Sequence, residues 1–170
     1  MKVWHRLLPF LVFICCLSCK HEETSFAPFI QVSYFYLNPQ YDGDEIVGAE
    51  DTLSIRYCEG KYVIDSIDMN DRVVFAAAFG SIGNELVTVR CTFDTLRLDM
   101  QAALSEEVQR ILLPASDVRQ LQLFVNPGYN YVAVPISYQP LQDDSLQFEL
   151  KVESDSECSP VSYTFIQPIR

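Results

Sequence analysis

Apolar residues recur at every second position in segment after segment of this chain. That period admits one local structure, a strand with one face buried and the other in water. Leu146, Phe148, Leu150 and Val152 alternate with Gln147, Glu149, Lys151 and Glu153 almost without fault. Leu53, Ile55 and Tyr57 alternate with Ser54 and Arg56, and Val87, Val89, Cys91 and Phe93 alternate with Thr88, Arg90 and Thr92. Ile30, Val32, Tyr34 and Tyr36 are expected on one face of a first strand that ends at Asn38-Pro39. Tyr62 to Asp68, Val118 to Val125, Tyr129 to Tyr138 and Val161 to Phe165 carry the same signature, the last hairpinned to the strand before it. Arg72 to Phe79 is apolar on both faces, which predicts a central strand, turned back at Gly80-Ser81-Ile82-Gly83-Asn84.

One segment departs from this period. Between Met100 and Leu113, Leu104, Val108, Ile111 and Leu112 stand at helical spacing, with Ser105 to Glu107 as a polar opening and Pro114 as a stop. The expected fold is therefore all-β: about nine strands in a two-sheet antiparallel sandwich with one short crossover helix, a size that suits roughly 140 residues.

The segment Met1 to Ser18 has a basic start (Lys2, His5, Arg6), an apolar run from Leu7 to Leu17 and a small residue before Cys19, the layout of a secretory signal. The apolar run is shorter than the roughly 20 residues a membrane span needs, and Pro9 interrupts it. Leu17-Ser18-Cys19-Lys20 resembles a bacterial lipobox, which implies acylation of Cys19, with Cys16 as the second candidate acceptor. Acyl chains hold a domain at a bilayer by about 0.8 kcal/mol per buried methylene. Lys20, His21, Glu22 and Glu23 resemble the export tag of Bacteroidota surface lipoproteins; the alternative is a solvated spacer. The expected organisation is a signal peptide over 1–18, a lipid-anchored tether over 19–27 and a β-sandwich domain over 28–170.

Without the signal, Lys2 and Arg6 leave the count of 12 basic residues, and 10 remain against 23 acidic, a net charge near -13. No basic stripe exists for phosphate contacts, so a nucleic-acid partner is not expected. The only tryptophan, Trp4, and one of the two histidines, His5, fall in the signal, and His21 falls in the tether. A domain without imidazole cannot run Ser-His-Asp or Cys-His nucleophile chemistry. Cys58, Cys91 and Cys158 are too far apart for a zinc pair, and no GxGxxG, GxxxxGK[ST] or HExxH motif occurs. No catalytic residue, cofactor or metal is expected. A carboxylate pair is the one enzymatic arrangement the composition leaves open.

Asp65-Ser66-Ile67 through Phe93-Asp94-Thr95, with the closing Asp144-Ser145-Leu146-Gln147-Phe148, resembles small Bacteroidota lipoproteins with immunoglobulin-like sandwiches. The resemblance spans most of the domain and rests on pattern. It implies an immunoglobulin-like topology and an outer-membrane location, and it carries no functional residues.

Cys58 ends a strand and Cys158 sits in a hairpin turn, so the two are candidates for a disulfide, with free thiols as the alternative; Cys91 reads as a small core residue. Asp42-Gly43-Asp44-Glu45 with Glu50-Asp51 offers oxygen ligands for calcium without EF-hand spacing, and a solvated acidic loop is the expected reading. Tyr41, Tyr129 and Tyr131 are the candidate ligand contacts, as flat amphipathic rings in loops. The expected function is a lipid-anchored, non-enzymatic envelope protein that binds a glycan or protein ligand. The alternative is a structural or assembly subunit of a fimbria or transporter complex.

Overall fold

A computed structural model describes residues 26–170. Cys19, the Lys20 to Glu23 segment and the stretch 1–18 expected to be a signal peptide lie outside the described residues. The elements in chain order are β1 (Phe29–Val32), β2 (Phe35–Leu37), β3 (Gln40–Asp42), β4 (Glu45–Gly48), β5 (Asp51–Leu53), β6 (Ile55–Cys58), β7 (Lys61–Ile64), β8 (Val73–Gly80), β9 (Leu86–Phe93), β10 (Leu98–Ala102), α1 (Glu106–Arg110), β11 (Gln122–Phe124), β12 (Tyr131–Pro140), β13 (Leu146–Ser154) and β14 (Val161–Gln167). No helix among the described residues is long and apolar enough to cross a membrane.

The strands form two six-stranded sheets and one hairpin. The front sheet runs β10-β12-β8-β2-β5, with β1 also paired to β8, and the back sheet runs β11-β9-β13-β14-β7-β6. The third sheet is the β3-β4 hairpin alone. Aromatic rings from the two large sheets meet between them. Phe35 stacks on Phe75 at 4.4 Å, and Phe165 of the back sheet lies 5.0 Å from Phe148 and 5.8 Å from Phe35. Tyr138 reaches across the same core, its hydroxyl donating to Gln167 Oε1 at 2.6 Å. The Gln167 amide in turn donates to the Asp65 carbonyl, which satisfies a polar group that would otherwise be stranded in an apolar interior.

The alternating strands form where the pattern places them. β8 is central, paired to β12 on one side and to β1 and β2 on the other, and β13 and β14 pair as an antiparallel hairpin. Several expectations need correction. The first strand is two, because Val32 pairs with Ala77 and Tyr36 with Val74, so Ser33, Tyr34 and Phe35 stand opposite Ala76 and Phe75 alone. This one-residue bulge reverses the phase: Phe35 and Leu37 enter the core, Tyr36 turns outward and Tyr34 is 70% exposed. A second bulge at Val87 does the same in β9, where Glu153 pairs with Thr88 and Ser154 with Leu86. Val87 is consequently exposed, while Leu86 and Val89 are buried.

Leu53 and Ile55 belong to different sheets, since the chain crosses between them at Ser54. The pairing is not wholly antiparallel: β7 runs parallel to β14, with Tyr62 beside Phe165. The expected helix shrinks to Glu106–Arg110, because Leu98 and Met100 alternate into the core as strand β10 against β12. Ser105 caps what remains, its Oγ accepting from Val108 N at 3.3 Å. The strand expected over Val118 to Val125 is reduced to Gln122–Phe124, since Leu121 takes a positive φ of 49° at the end of a turn.

Candidate functional site

On the outer face of the front sheet, β8 presents a run of small residues. Val74, Ala76, Ala78 and Gly80 point away from the core while Val73, Phe75, Ala77 and Phe79 point into it. Their cross-strand partners on β12 are Ser137, Pro135, Ala133 and Tyr131. Short side chains on adjacent strands leave a shallow trough, and the β3-β4 hairpin stands beside one end of it. The result is a groove of about 740 Å³, in the size range of small-molecule and peptide sites. Its floor is Val74, Ala76 and Pro135; Tyr36, Tyr41 and Ile46 line the hairpin side, and Ala103, Leu104 and Ser105 line the side leading into α1.

Two charged side chains line this apolar groove, Arg72 and Asp44. Arg72 is held at the start of β8 by a clamp centred on Asn38. Asn38 adopts a positive φ of 45°, which asparagine tolerates, and its Nδ2 donates to Glu50 at 2.7 Å and Asp71 at 2.8 Å. Its Oδ1 accepts from Arg72 N at 2.9 Å, and its own N donates to the Arg72 carbonyl at 2.7 Å. The clamp ties the base of the hairpin to the rim of the sheet. The guanidinium then reaches over the trough, where Nη2 donates to Ser137 Oγ at 3.1 Å. Asp44 sits at the hairpin tip, next to Gly43, whose φ of 61° makes the turn. The ion pairs of the described residues involve other side chains, so Arg72 and Asp44 line one groove without pairing to each other or to a third charge.

The structure separates the three tyrosines singled out from sequence. Tyr41 lines the groove, half exposed. Tyr131 lies on the same outer face but at the far end of β8, opposite Gly80, and Tyr129 lies in the turn before β12. Gly80 is needed there because the Phe29 ring lies directly over it. Tyr36 and Arg72 are the site residues that sequence reasoning missed. In an unbroken strand Tyr36 shares a face with Ile30 and Val32, a parity that the bulge at Ser33-Tyr34 reverses, and Arg72 reads only as the first residue of a strand.

No disulfide joins Cys58 to Cys158. Cys58 pairs with Lys61 in the β6-β7 hairpin, which the β7-β14 register sets level with Thr164. Cys158 lies in the bend between β13 and β14, three residues before β14 begins, while β7 separates Cys58 from β14 in the sheet. Cys91 is buried, donates to Met100 Sδ at 3.3 Å, and its thiol is pushed up to about 12, first by burial and then by Glu149. The acidic segment Asp42 to Asp51 forms the hairpin and strand β5, and among the described residues no three His, Cys, Asp or Glu side chains are grouped to hold a metal.

No known family model matches this chain, and no curated protein matches it.

Proposed function

We propose that the chain is a lipid-anchored, non-enzymatic binding module of the outer membrane, and that the groove between the β3-β4 hairpin and the front sheet seats its glycan or protein ligand. The observation that carries this reading is the groove's make-up: an apolar floor, two tyrosine rings and two unpaired charges of opposite sign in one concavity. Few polar groups placed around an apolar seat give orientation without chemistry. Asp44 is the one carboxylate lining the groove among the described residues, whereas glycoside hydrolysis by carboxylates needs a facing pair.

An immunoglobulin-like topology is part of the proposal. The order β10-β12-β8 with β1 and β2 corresponds to D-E-B-A, and β9-β13-β14 to C-F-G. The chain departs from that pattern in placing β11 beside β9 after β10, and in having Cys91 on the C-equivalent strand without an inter-sheet bridge. The assembly-subunit alternative draws only on the open sheet edges. The outermost strands β5, β6, β10 and β11 are short, three to five residues each, which gives an added strand little to pair with.

The binding reading is tested in cells by a photo-crosslinking residue at Ala76 on the groove floor, with Thr92 on the outer face of the back sheet as control. Adducts from position 76 in excess of position 92 are expected; equal labelling overturns the assignment of the groove. The anchor is tested by Cys19→Ala, which should move the protein out of the membrane fraction, and by protease shaving of intact cells, which reports the face of the membrane.

A further inference from the structure

Which ligand class the groove suits follows from which of its polar groups are already spent. Ser33 Oγ accepts from Ala76 N at 2.8 Å and donates to the Tyr34 carbonyl at 3.1 Å. Ser105 Oγ caps α1, and Ser137 Oγ accepts from Arg72. All three serine hydroxyls lining the groove therefore hold intrachain bonds. Ser105 and Ser137 nevertheless keep their O–H donors, and with the Tyr36 and Tyr41 hydroxyls these serve a sugar and a peptide alike, so the hydroxyls do not separate the two ligand classes and the charges must.

The charges are in the opposite condition. Arg72 spends one of its five N–H donors on Ser137, and the Asp44 carboxylate has no hydrogen-bond or ion-pair partner among the described residues. Both side chains are exposed, so a ligand charge can take the place of their water at little cost. The two line the same concavity without an ion pair between them, Arg72 with its backbone fixed by the Asn38 clamp and Asp44 at the hairpin tip. An occupant that complements both must carry an anion and a cation with an apolar body between them.

We infer that the ligand is a short apolar peptide with free termini, its carboxylate on Arg72, its ammonium on Asp44 and its side chains on Val74, Ala76 and Pro135. The inference rests on the groove being the ligand seat and selects a peptide over a glycan. The rings of Tyr36 and Tyr41 supply a wall for the peptide chain and phenol hydroxyls for its amides.

The test titrates the isotopically labelled full chain with trileucine, with its N-acetyl and C-terminal amide forms, with the doubly capped peptide and with maltohexaose, following the backbone amides of Ala76, Ala103 and Ser137. Trileucine should shift these amides saturably, and each cap should weaken binding about threefold, the scale of an exposed ion pair. Arg72→Gln should abolish the difference between trileucine and its amide while keeping the difference made by the acetyl cap; Asp44→Asn should do the reverse. Equal binding of free and doubly capped peptide overturns the inference. Saturation by maltohexaose without trileucine overturns it while leaving the groove as the seat. Silence from every probe overturns the peptide reading alone if position 76 crosslinks in cells, and the groove assignment with it if position 76 does not.

Discussion

Tyr138→Phe removes one oxygen and keeps the ring, so it isolates the polar connection across the core. Tyr138 and Gln167 are both essentially inaccessible, at 1% and 0% exposure, and the hydroxyl donates to Gln167 Oε1 at 2.6 Å. Phenylalanine preserves the contacts with Phe75 and Phe148, at 6.2 Å and 5.5 Å between centroids, but leaves Oε1 buried with its donor gone. The cost of one stranded acceptor is about 1–3 kcal/mol. Gln167→Met strands more, because the Tyr138 hydroxyl and the Asp65 carbonyl both lose their partner, and should cost about 2–4 kcal/mol. In the double variant only the carbonyl remains stranded, so its cost should fall short of the sum by about 2–5 kcal/mol, the stranded acceptor and the stranded hydroxyl together. Urea unfolding with an unchanged m-value measures all three, and each kcal/mol should lower Tm by about 2–4 °C. A loss below about 0.5 kcal/mol for Tyr138→Phe, or strict additivity in the cycle, would refute the idea that this bond is what makes the buried polar pair tolerable.

Other perturbations follow from the same geometry. Phe165→Ala opens a cavity where the rings of Phe35, Tyr62 and Phe148 converge and should cost about 3–5 kcal/mol by urea unfolding. Ser33→Ala takes away the side-chain acceptor of Ala76 N inside the bulge and should cost about 1–2 kcal/mol, with faster hydrogen exchange at Ala76 as the local signature. Cys91 gives a pH dependence. Its folded thiol keeps the proton up to about 12, whereas the unfolded thiol loses it near 9, so the unfolded chain binds fewer protons between these values and stability falls as pH rises. That contribution is complete below about pH 9 and is lost through about pH 12, at up to about 1.4 kcal/mol per unit. Cys91→Ala should flatten the decline in urea midpoint between pH 9 and 11, and a thiol reagent should modify exposed Cys58 in the native chain but reach Cys91 only on unfolding.

The strands that could be read from sequence are β12, β13 and β14, whose alternation runs unbroken, and β8, whose continuous apolar run marks a central strand, and these build the centre of both sheets. What could not be read turns on single residues. A period-two pattern fixes which residues share a face only while the register is continuous, and the bulges at Ser33-Tyr34 and Val87 each insert one residue. No apolar signal marks such an insertion: Tyr34 and Tyr36 look as suited to the core as Phe35 and Leu37. Sheet switching is equally silent, since Leu53 and Ile55 keep perfect alternation across Ser54 while passing from one sheet to the other. The helix was overextended because Met100 satisfies both periods, and pairing with Tyr138 decides for the strand.

These failures of the pattern are not scattered at random with respect to the groove. The bulge that defeats the parity argument is what turns Tyr36 outward onto the groove wall while Phe35 takes its place against Phe75. It also places Ser33 where its hydroxyl closes the hydrogen bond of Ala76 on the groove floor. Asn38 follows two residues after Tyr36, and its left-handed backbone starts the hairpin that continues the same wall through Tyr41 and Ile46. An unbroken strand from Ile30 through Tyr36 would bury Tyr36 and leave the trough along Val74 and Ala76 as an open, flat sheet face. Deleting Tyr34 removes the extra residue and sets Ser33 and Phe35 opposite Ala76 and Phe75, so the variant should lose the bulge yet keep Phe35 in the core and Tyr36 on the groove wall, with β8 and β12 still paired. Such a variant should fold with native strand content and still crosslink from position 76, and loss of the adduct in a folded variant would refute the idea that the bulge acts on the groove through the parity of Tyr36 alone.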